Sequence, residues 1–303
     1  MKKLIGYFIG ALLLVTTAPA VANEFQLATD IGANARQIAM GTIDGFSKDS
    51  TAIFENPAGL YHIKSKSASF FTATYLNEVD YNNMSFAKKT RFGTFGLGLM
   101  KVSISDNPVT GVDNAGEHVL VDSFTFNNWV LKTSYEKSIR PNIHWGVSFN
   151  TYGQTLDDTS GYGHNFDTGV IIIEGKNTIS LAVKNLSINQ NITFSDGSKE
   201  QLTTQYVAGI KHDLNTEWSL YGQYKFKEEN SLFSAAVSYT PYFAPYCELL
   251  AGYKQVSIGN IEKDTTTLGF SLDLNTFKVA YCYEKSEHIS HNSTNYFSVA
   301  IDF

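Results

Sequence analysis

The stretch Glu217–Lys227, "EWSLYGQYKFK", sorts its residues by parity: Trp218, Leu220, Tyr224 and Phe226 alternate with Ser219, Tyr221, Gln223 and Lys225. A strand turns successive side chains to opposite faces, whereas a helix would scatter this apolar set around its circumference. The stretch therefore reads as a strand with one apolar and one polar face. "NIHWGVSFN", Asn142–Asn150, obeys the same rule, with Ile143, Trp145, Val147 and Phe149 set against His144, Gly146, Ser148 and Asn150.

Working outward, period-two segments also lie near 65–77, 80–91, 93–104, 120–137, 163–174, 177–186, 202–213, 231–240, 246–257, 264–274, 276–285 and 293–303. That makes about 14 strands, each near the ~9 to 11 residues of a tilted transmembrane strand. Their connections alternate in length. Tight ones fall at Arg91, Arg140-Pro141, Gly175-Lys176, Asn215, Pro241 to Pro245 and Asn275; longer ones fall at Ser105 to His118, Asp157 to Tyr162, Ser187 to Glu200 and Ser286 to Asn292. Short turns at one end and long loops at the other mark an outer-membrane barrel. "DLNT" occurs twice, at Asp213–Thr216 and Asp273–Thr276, both at predicted short turns, where Asp and Asn suit a tight reversal.

Composition agrees. Charged residues make up 17% of the 303 residues and aromatic ones 14%, with 17 Tyr and 21 Phe. Low charge with many aromatics fits a surface that meets lipid, and the polar strand face, rich in Gly, Ser, Asn and Tyr, fits a lumen better than the outside of a soluble sandwich. Lys2 and Lys3, the apolar run Leu4–Val15 and Ala20-Val21-Ala22 read as a signal peptide, residues 1–22, cleaved between Ala22 and Asn23. The formal net charge of −6 becomes two units more negative once Lys2 and Lys3 leave, which excludes a nucleic-acid partner. The expected site is the bacterial outer membrane, with its lipid as the surrounding partner.

Residues 23–63 lack the strand period and are rich in small residues: Gly32, Ala33, Ala35, Ala39, Gly41, Gly45, Ala52, Ala58 and Gly59. Within "DSTAIFENPAGL", Asp49–Leu60, Asn56 can cap a helix that begins at Pro57, and Gly59 permits close approach or a positive φ. A barrel of about 14 strands is too wide for its own side chains to fill. Residues 23–63 are thus expected to form an N-terminal hatch plugging the lumen, and 64–303 an antiparallel transmembrane β-barrel. The hatch motif is Asn56, Pro57, Ala58 and Gly59.

The chain ends in "NYFSVAIDF", with Phe297, Val299, Ile301 and Phe303 on one face. A final strand ending in Phe303 resembles the terminal signal of bacterial outer-membrane barrels, which implies the barrel-assembly machinery as a partner. "GANARQIAMG", "DSTAIFENPAGL", "SLAVKNL" and "ELLAGYK" resemble the PorV/PorQ branch of the FadL-type outer-membrane proteins. That resemblance implies a hatch motif at Asn56–Ala58, extended by Gly59 and Leu60. It implies transport of hydrophobic, fatty-acid-like small molecules or, alternatively, a PorV-like role in protein secretion, docking exported cargo at the cell surface. A structural or adhesive surface barrel is a further alternative.

Enzyme chemistry is not expected, and neither a cofactor nor a catalytic residue is assigned. His144, Ser148 and Asn150 share a strand face but one turned to the lumen, and His288 and His291 beside Glu287 lack a third metal partner. No phosphate-binding glycine loop, G-x-S-x-G or C-x-x-C is present. Cys247 and Cys282 fall on opposite faces of strands separated by another, so they are expected to be free thiols. Lys132, Glu136, Gln223, Lys225, Glu248, Lys254 and Glu284 are expected in the lumen, as a network holding the hatch.

Overall fold

The computed structural model describes residues 31–75, 79–112, 117–156, 159–186, 191–227, 231–258, 261–285 and 294–303. The signal segment with Ala22 and Asn23, and the loop with His288 and His291, lie outside the described residues.

Two short helices come first, α1 (Ala35–Ala39) and α2 (Ala52–Glu55), then a 3-10 helix, Pro57–His62. The strands follow: β1 (Lys66–Tyr75), β2 (Val79–Thr90), β3 (Gly93–Val112), β4 (His118–Arg140), β5 (Ile143–Leu156), β6 (Thr159–Glu174) and β7 (Asn177–Leu186). After a small hairpin, β8 (Asn191–Phe194) and β9 (Lys199–Gln201), come β10 (Gln205–Asp213), β11 (Trp218–Phe226), β12 (Ser231–Tyr239), β13 (Cys247–Ile258), β14 (Ile261–Leu274), β15 (Phe277–Lys285) and β16 (Thr294–Asp302). Fourteen of them, all but β8 and β9, form one antiparallel sheet that closes on itself, because β1 pairs with β16 as well as with β2. Lys66 N and Phe303 O, and Phe303 N and Lys66 O, make the terminal pair, each at 2.9 Å.

Each short turn falls where its chemistry was expected. Gly175 and Asn275 take positive φ, 59° and 65°, in the two-residue turns β6–β7 and β14–β15, a conformation glycine adopts freely and Asn tolerates. In the two "DLNT" turns, Asn215 Oδ1 accepts from Trp218 N and Asp273 Oδ1 accepts from Asn275 N. The long end differs from expectation. Ser105 to His118 is mostly sheet, since β3 runs on to Val112 and β4 starts at His118, pairing with each other beyond the reach of β2 and β5. Part of Ser187 to Glu200 is likewise paired, through β8 against β6. Here strand pairing continues because the hairpin satisfies its own backbone groups.

Parity decides the faces. On β11, Tyr221, Gln223 and Lys225 are buried, whereas Trp218, Leu220, Tyr224 and Phe226 are exposed. The same outward face carries Phe70, Met84, Leu97, Phe149, Ile210 and Leu268, an apolar belt for lipid. Cys247 and Cys282 are both free, Cys282 fully buried.

The buried side meets residues 31–63. Helix α1 contacts β13 to β16, and the 3-10 helix contacts β3 to β6. Ser50 reaches β1 and β2, and Asn56 reaches β7. A segment that touches strands all around a closed sheet through their buried faces can only lie inside it. Ile38, Met40, Ile43, Phe46, Ile53 and Phe54 share one buried cluster with Phe71, Tyr81, Val102, Tyr221, Leu250 and Tyr296 of the wall. Burying each such side chain contributes about 1.5–3 kcal/mol before chain entropy.

Candidate functional site

Between α2 and the 3-10 helix the inner segment meets the wall at Asn56. Its Oδ1 accepts from Ala58 N at 3.0 Å, capping a helix whose first residue is Pro57. Its Nδ2 donates to Ser180 Oγ at 2.9 Å and to Leu181 O at 3.1 Å, both on β7. One amide thus closes the turn and fastens it to the barrel. The wall is flat here because Gly146 and Gly169, register partners on β5 and β6, have no side chains. A Cβ at Gly146 would lie 2.3 Å from Ala58 N, and one at Gly169 would lie 2.1 Å from Asn56 Oδ1. Gly59 does not take a positive φ. Its role is close approach, with a Cβ there lying 3.0 Å from Ala52 Cβ.

Charge fastens the segment at further points, on β13, β7 and β11. Arg36 of α1 makes a bidentate pair with Glu248 of β13, Nε to Oε2 at 2.7 Å and Nη2 to Oε1 at 3.0 Å, and Nη1 donates to Phe46 O. Asp44 accepts from Gln37 Nε2 at 2.6 Å and pairs with Lys184 of β7 at 2.8 Å, with Lys225 of β11 at 3.9 Å. Gln223 accepts from Asp44 N and donates to Thr42 O. Buried charges persist only when paired in this way.

Inside the segment, the Glu55 carboxylate accepts from the backbone N–H groups of Gly45, Phe46 and Ser47 and from the Ser47 hydroxyl. Burial, and then the nearby Asp44 carboxylate, push Glu55 up to about 7. Burial drives His62 down to about 3, with the Lys48 and Arg36 charges adding to the effect.

Of the seven lumen side chains expected from parity, Gln223, Lys225, Glu248 and Lys254 touch the inner segment, Lys254 through Thr42 Oγ1. Lys132 pairs instead with Asp167, Glu136 with Ser138 and His144, and Glu284 with Lys254, all within the wall. His144, Ser148 and Asn150 do not converge. His144 stacks on Tyr61 with centroids 4.0 Å apart, Ser148 bonds Ser134, and Asn150 bonds Asn165. Sequence reasoning missed Arg36, Asp44, Glu55 and Lys184. For Arg36, Asp44 and Glu55 the available signal was a charged residue within a segment rich in small ones; for Lys184 it was a lysine on an otherwise uncharged strand.

At the short-turn end a cavity of about 750 Å³ remains between the inner segment and the wall, lined by Arg36, Lys48, Glu248, Asp273 and several Ser and Thr hydroxyls. Val279, Ala280, Val299 and Ala300 add apolar stretches to the same wall.

Solved structures share this architecture. The toluene transporter TodX of Pseudomonas putida superposes with a TM-score of 0.66 at 12% identity, covering 90% of this chain and 98% of that one. The monoaromatic hydrocarbon channel CymD gives 0.63 at 11% identity, covering 90% and 98%. A Pseudomonas aeruginosa FadL homologue gives 0.58 at 10% identity, covering 89% and 98%. Identities this low establish a shared fold, and that fold defines the class: a 14-stranded β-barrel of the outer membrane. Within the class, the chain belongs to the PorP/SprF family of type IX secretion system membrane proteins, whose family model matches residues 119–303. No match was found among curated proteins. The expected FadL-type barrel is thus found, while the family match, over barrel strands, is to PorP/SprF and not to the PorV/PorQ branch, whose most specific residues lie before 119.

Proposed function

We propose that the protein is a plugged outer-membrane component of type IX secretion, serving the export or surface docking of proteins, with residues 23–63 as its hatch. The observation that carries this reading is the fastening of the inner segment to separate strands of the wall, by Arg36–Glu248 on β13 and by Asp44–Lys184 and Asn56–Ser180 on β7. A segment held by buried ion pairs is a permanent part of the wall lining, and the cavity left beside it carries Arg36, Lys48, Asp213 and Glu248, charged groups that a hydrophobic ligand would leave without a partner. Membership of the PorP/SprF family supports the same direction.

The test removes the chain from its own cell and follows two readouts: delivery of type IX cargo to the surface and uptake of a labelled long-chain fatty acid. Loss of cargo delivery with unchanged uptake is the expected result. Normal delivery with lost uptake sinks the reading.

A second reading, transport of hydrophobic small molecules, has one observation in its favour besides its fold neighbours. The β6–β7 pairing shifts register between Phe166 and Thr168, where Asn185 takes φ 60° and its amide binds Tyr152, Asn165 and Thr203. An irregularity of this kind weakens wall pairing locally. Lateral release of a hydrophobic molecule would be sought there.

A further inference from the structure

Charge is unevenly placed on the outward face. Stretches 64–75, 81–104 and 123–140, which include the short-turn ends of β1 to β4, contain a single acid, Glu136. That carboxylate points inward, buried against Ser138 and His144. Lys66, Lys88 and Lys137 lie outward and Arg91 lies exposed on the turn below them, in a chain whose formal net charge is −6.

Lys66 of β1 and Lys88 of β2 are register partners, one directly across from the other. Both turn outward, since Ser67 and Ala87 beside them are fully buried. Side chains so placed have Cβ atoms about 4.5–5.5 Å apart, and like charges there repel. Among the described residues no carboxylate forms an ion pair with either ammonium. Lys66 lies over the Phe303 ring, 5.4 Å from its centroid, while the main-chain oxygen of Phe303 is taken by the Lys66 backbone N–H. Below the pair, Lys137 donates to a carbonyl, Phe92 O at 3.0 Å, and Arg91 stands over the Phe92 ring at 4.5 Å. Lysine can only donate, so an anionic acceptor between Lys66 and Lys88 turns their repulsion into attraction.

The surroundings of the pair identify the anion. The register row Phe303, Lys66, Lys88, Phe95 and Tyr135 crosses five adjacent strands, with aromatic rings on both sides of the lysines. Two residues further into the belt, the same register sets Ile301, Ala68, Phe86 and Leu97 side by side on the outward face. Phe86 leans toward Phe303 with centroids 6.4 Å apart, and Phe95 toward Tyr135 at 5.0 Å. Aromatic rings flanking an apolar band mark the level of the headgroups, and short turns of outer-membrane barrels face the periplasm. An anion at the lysines that also carries acyl chains finds an apolar surface directly beside it; a soluble anion makes no use of that surface.

We propose that Lys66 and Lys88 form a site for the phosphate of an anionic phospholipid of the periplasmic leaflet, its acyl chains lying on Phe86 and Leu97. Arg91 and Lys137 add to the attraction from below. The site requires only a barrel in a bilayer and is independent of what the barrel exports.

The test is native mass spectrometry of the full mature chain in mild detergent, offered equal amounts of phosphatidylglycerol and zwitterionic phosphatidylcholine. The parent should retain phosphatidylglycerol in preference on the order of tenfold, as two lysines at an anionic headgroup allow. Lys66→Gln with Lys88→Gln should bring the two lipids near parity, and Lys66→Arg with Lys88→Arg should keep the preference, since arginine also binds phosphate. Lys101→Gln, on the outward face of β3 toward the long-loop end, should leave it unchanged. Heat-dependent gel mobility reports that each variant is a folded barrel. Equal retention of both lipids by the parent, or a parent-like preference in the double glutamine variant, would overturn the proposal. So would displacement of the lipid by inorganic phosphate or by a soluble hexaglutamate peptide at the lipid's own concentration, which would assign the lysines to a free anion or to an acidic protein segment.

Discussion

Asn56 and Gly146 are the residues at which the inner segment depends on single atoms. Asn56→Ala removes the cap, worth roughly 0.5–2 kcal/mol, and with it the bonds to Ser180 and Leu181. Gly146→Ala keeps those partners but drives a methyl into Ala58 N at 2.3 Å, so the 3-10 helix must lift from β5. Both variants should assemble as barrels and conduct ions in planar bilayers above the parent's level. Gly222→Ala, whose Cβ would meet only Ile210 at 3.8 Å, should conduct like the parent. Equal conductance in all of them would show that this contact does not seal the lumen. Glu55 adds a pH dependence. Its folded value of about 7 lies above the ordinary 4.5, so the folded state holds the extra proton between these limits. The stability it contributes is present below about 4.5 and declines as pH rises through 7. Thermal unfolding in detergent should therefore shift to lower temperature between about pH 5 and about pH 8, and Glu55→Gln should flatten that slope; an unchanged slope would assign the dependence to other groups.

At the scale of an element, β11 separates the two solvents most clearly. Leu220 is 43% exposed on the lipid side. Arginine in its place should cost about 2–4 kcal/mol near the bilayer midplane. Gln223, one step along the opposite face, is not the mild lumen control that its parity alone suggests: it is buried and bonded to Asp44 and Thr42 beside Lys225, so arginine there would break two bonds and crowd a cation. Ser219, facing the polar cavity next to Asp213, is the suitable comparison, and Ser219→Arg should cost far less than Leu220→Arg in denaturant titrations of refolded barrels. Similar costs would mean that the apolar face of β11 does not meet lipid.

For the whole molecule, the strand pairing and the inner segment are separable. The wall is closed by its own ladder from Lys66 to Phe303, so a chain lacking residues 23–63 should still reach a heat-modifiable, folded barrel, at lower stability because the shared apolar cluster is gone. Its conductance should far exceed that of Asn56→Ala, since the lumen of a 14-stranded barrel is too wide to be filled by wall side chains alone. A deletion variant as impermeable as the parent would sink the hatch. A variant that fails to close would show instead that the inner segment templates the barrel.

Parity along segments such as Glu217–Lys227 determined by itself that the chain is a barrel of about 14 wall strands and which side chains face in, though not the extra hairpin β8–β9. These follow from the two-residue period, which is a local property of any strand between two unlike solvents. The short turns were equally legible, because Gly175, Asn275 and the Asp-Asn pairs act within a few residues. Asn56 was legible as a cap for the same reason. That its other amide atom reaches Ser180 and Leu181, that Gly146 and Gly169 flatten the wall beneath it, and that Arg36 finds Glu248 were decided only by the closed barrel. The bonds of Asn56 and Arg36 join residues more than a hundred positions apart. The ends of β3 and β4 belong there too, since a strand stops where its partner stops, and the partner of β3 lies across a hairpin whose length period alone does not specify. Sequence carries what a residue does to its neighbours in the chain; closure of the sheet brings together the rest.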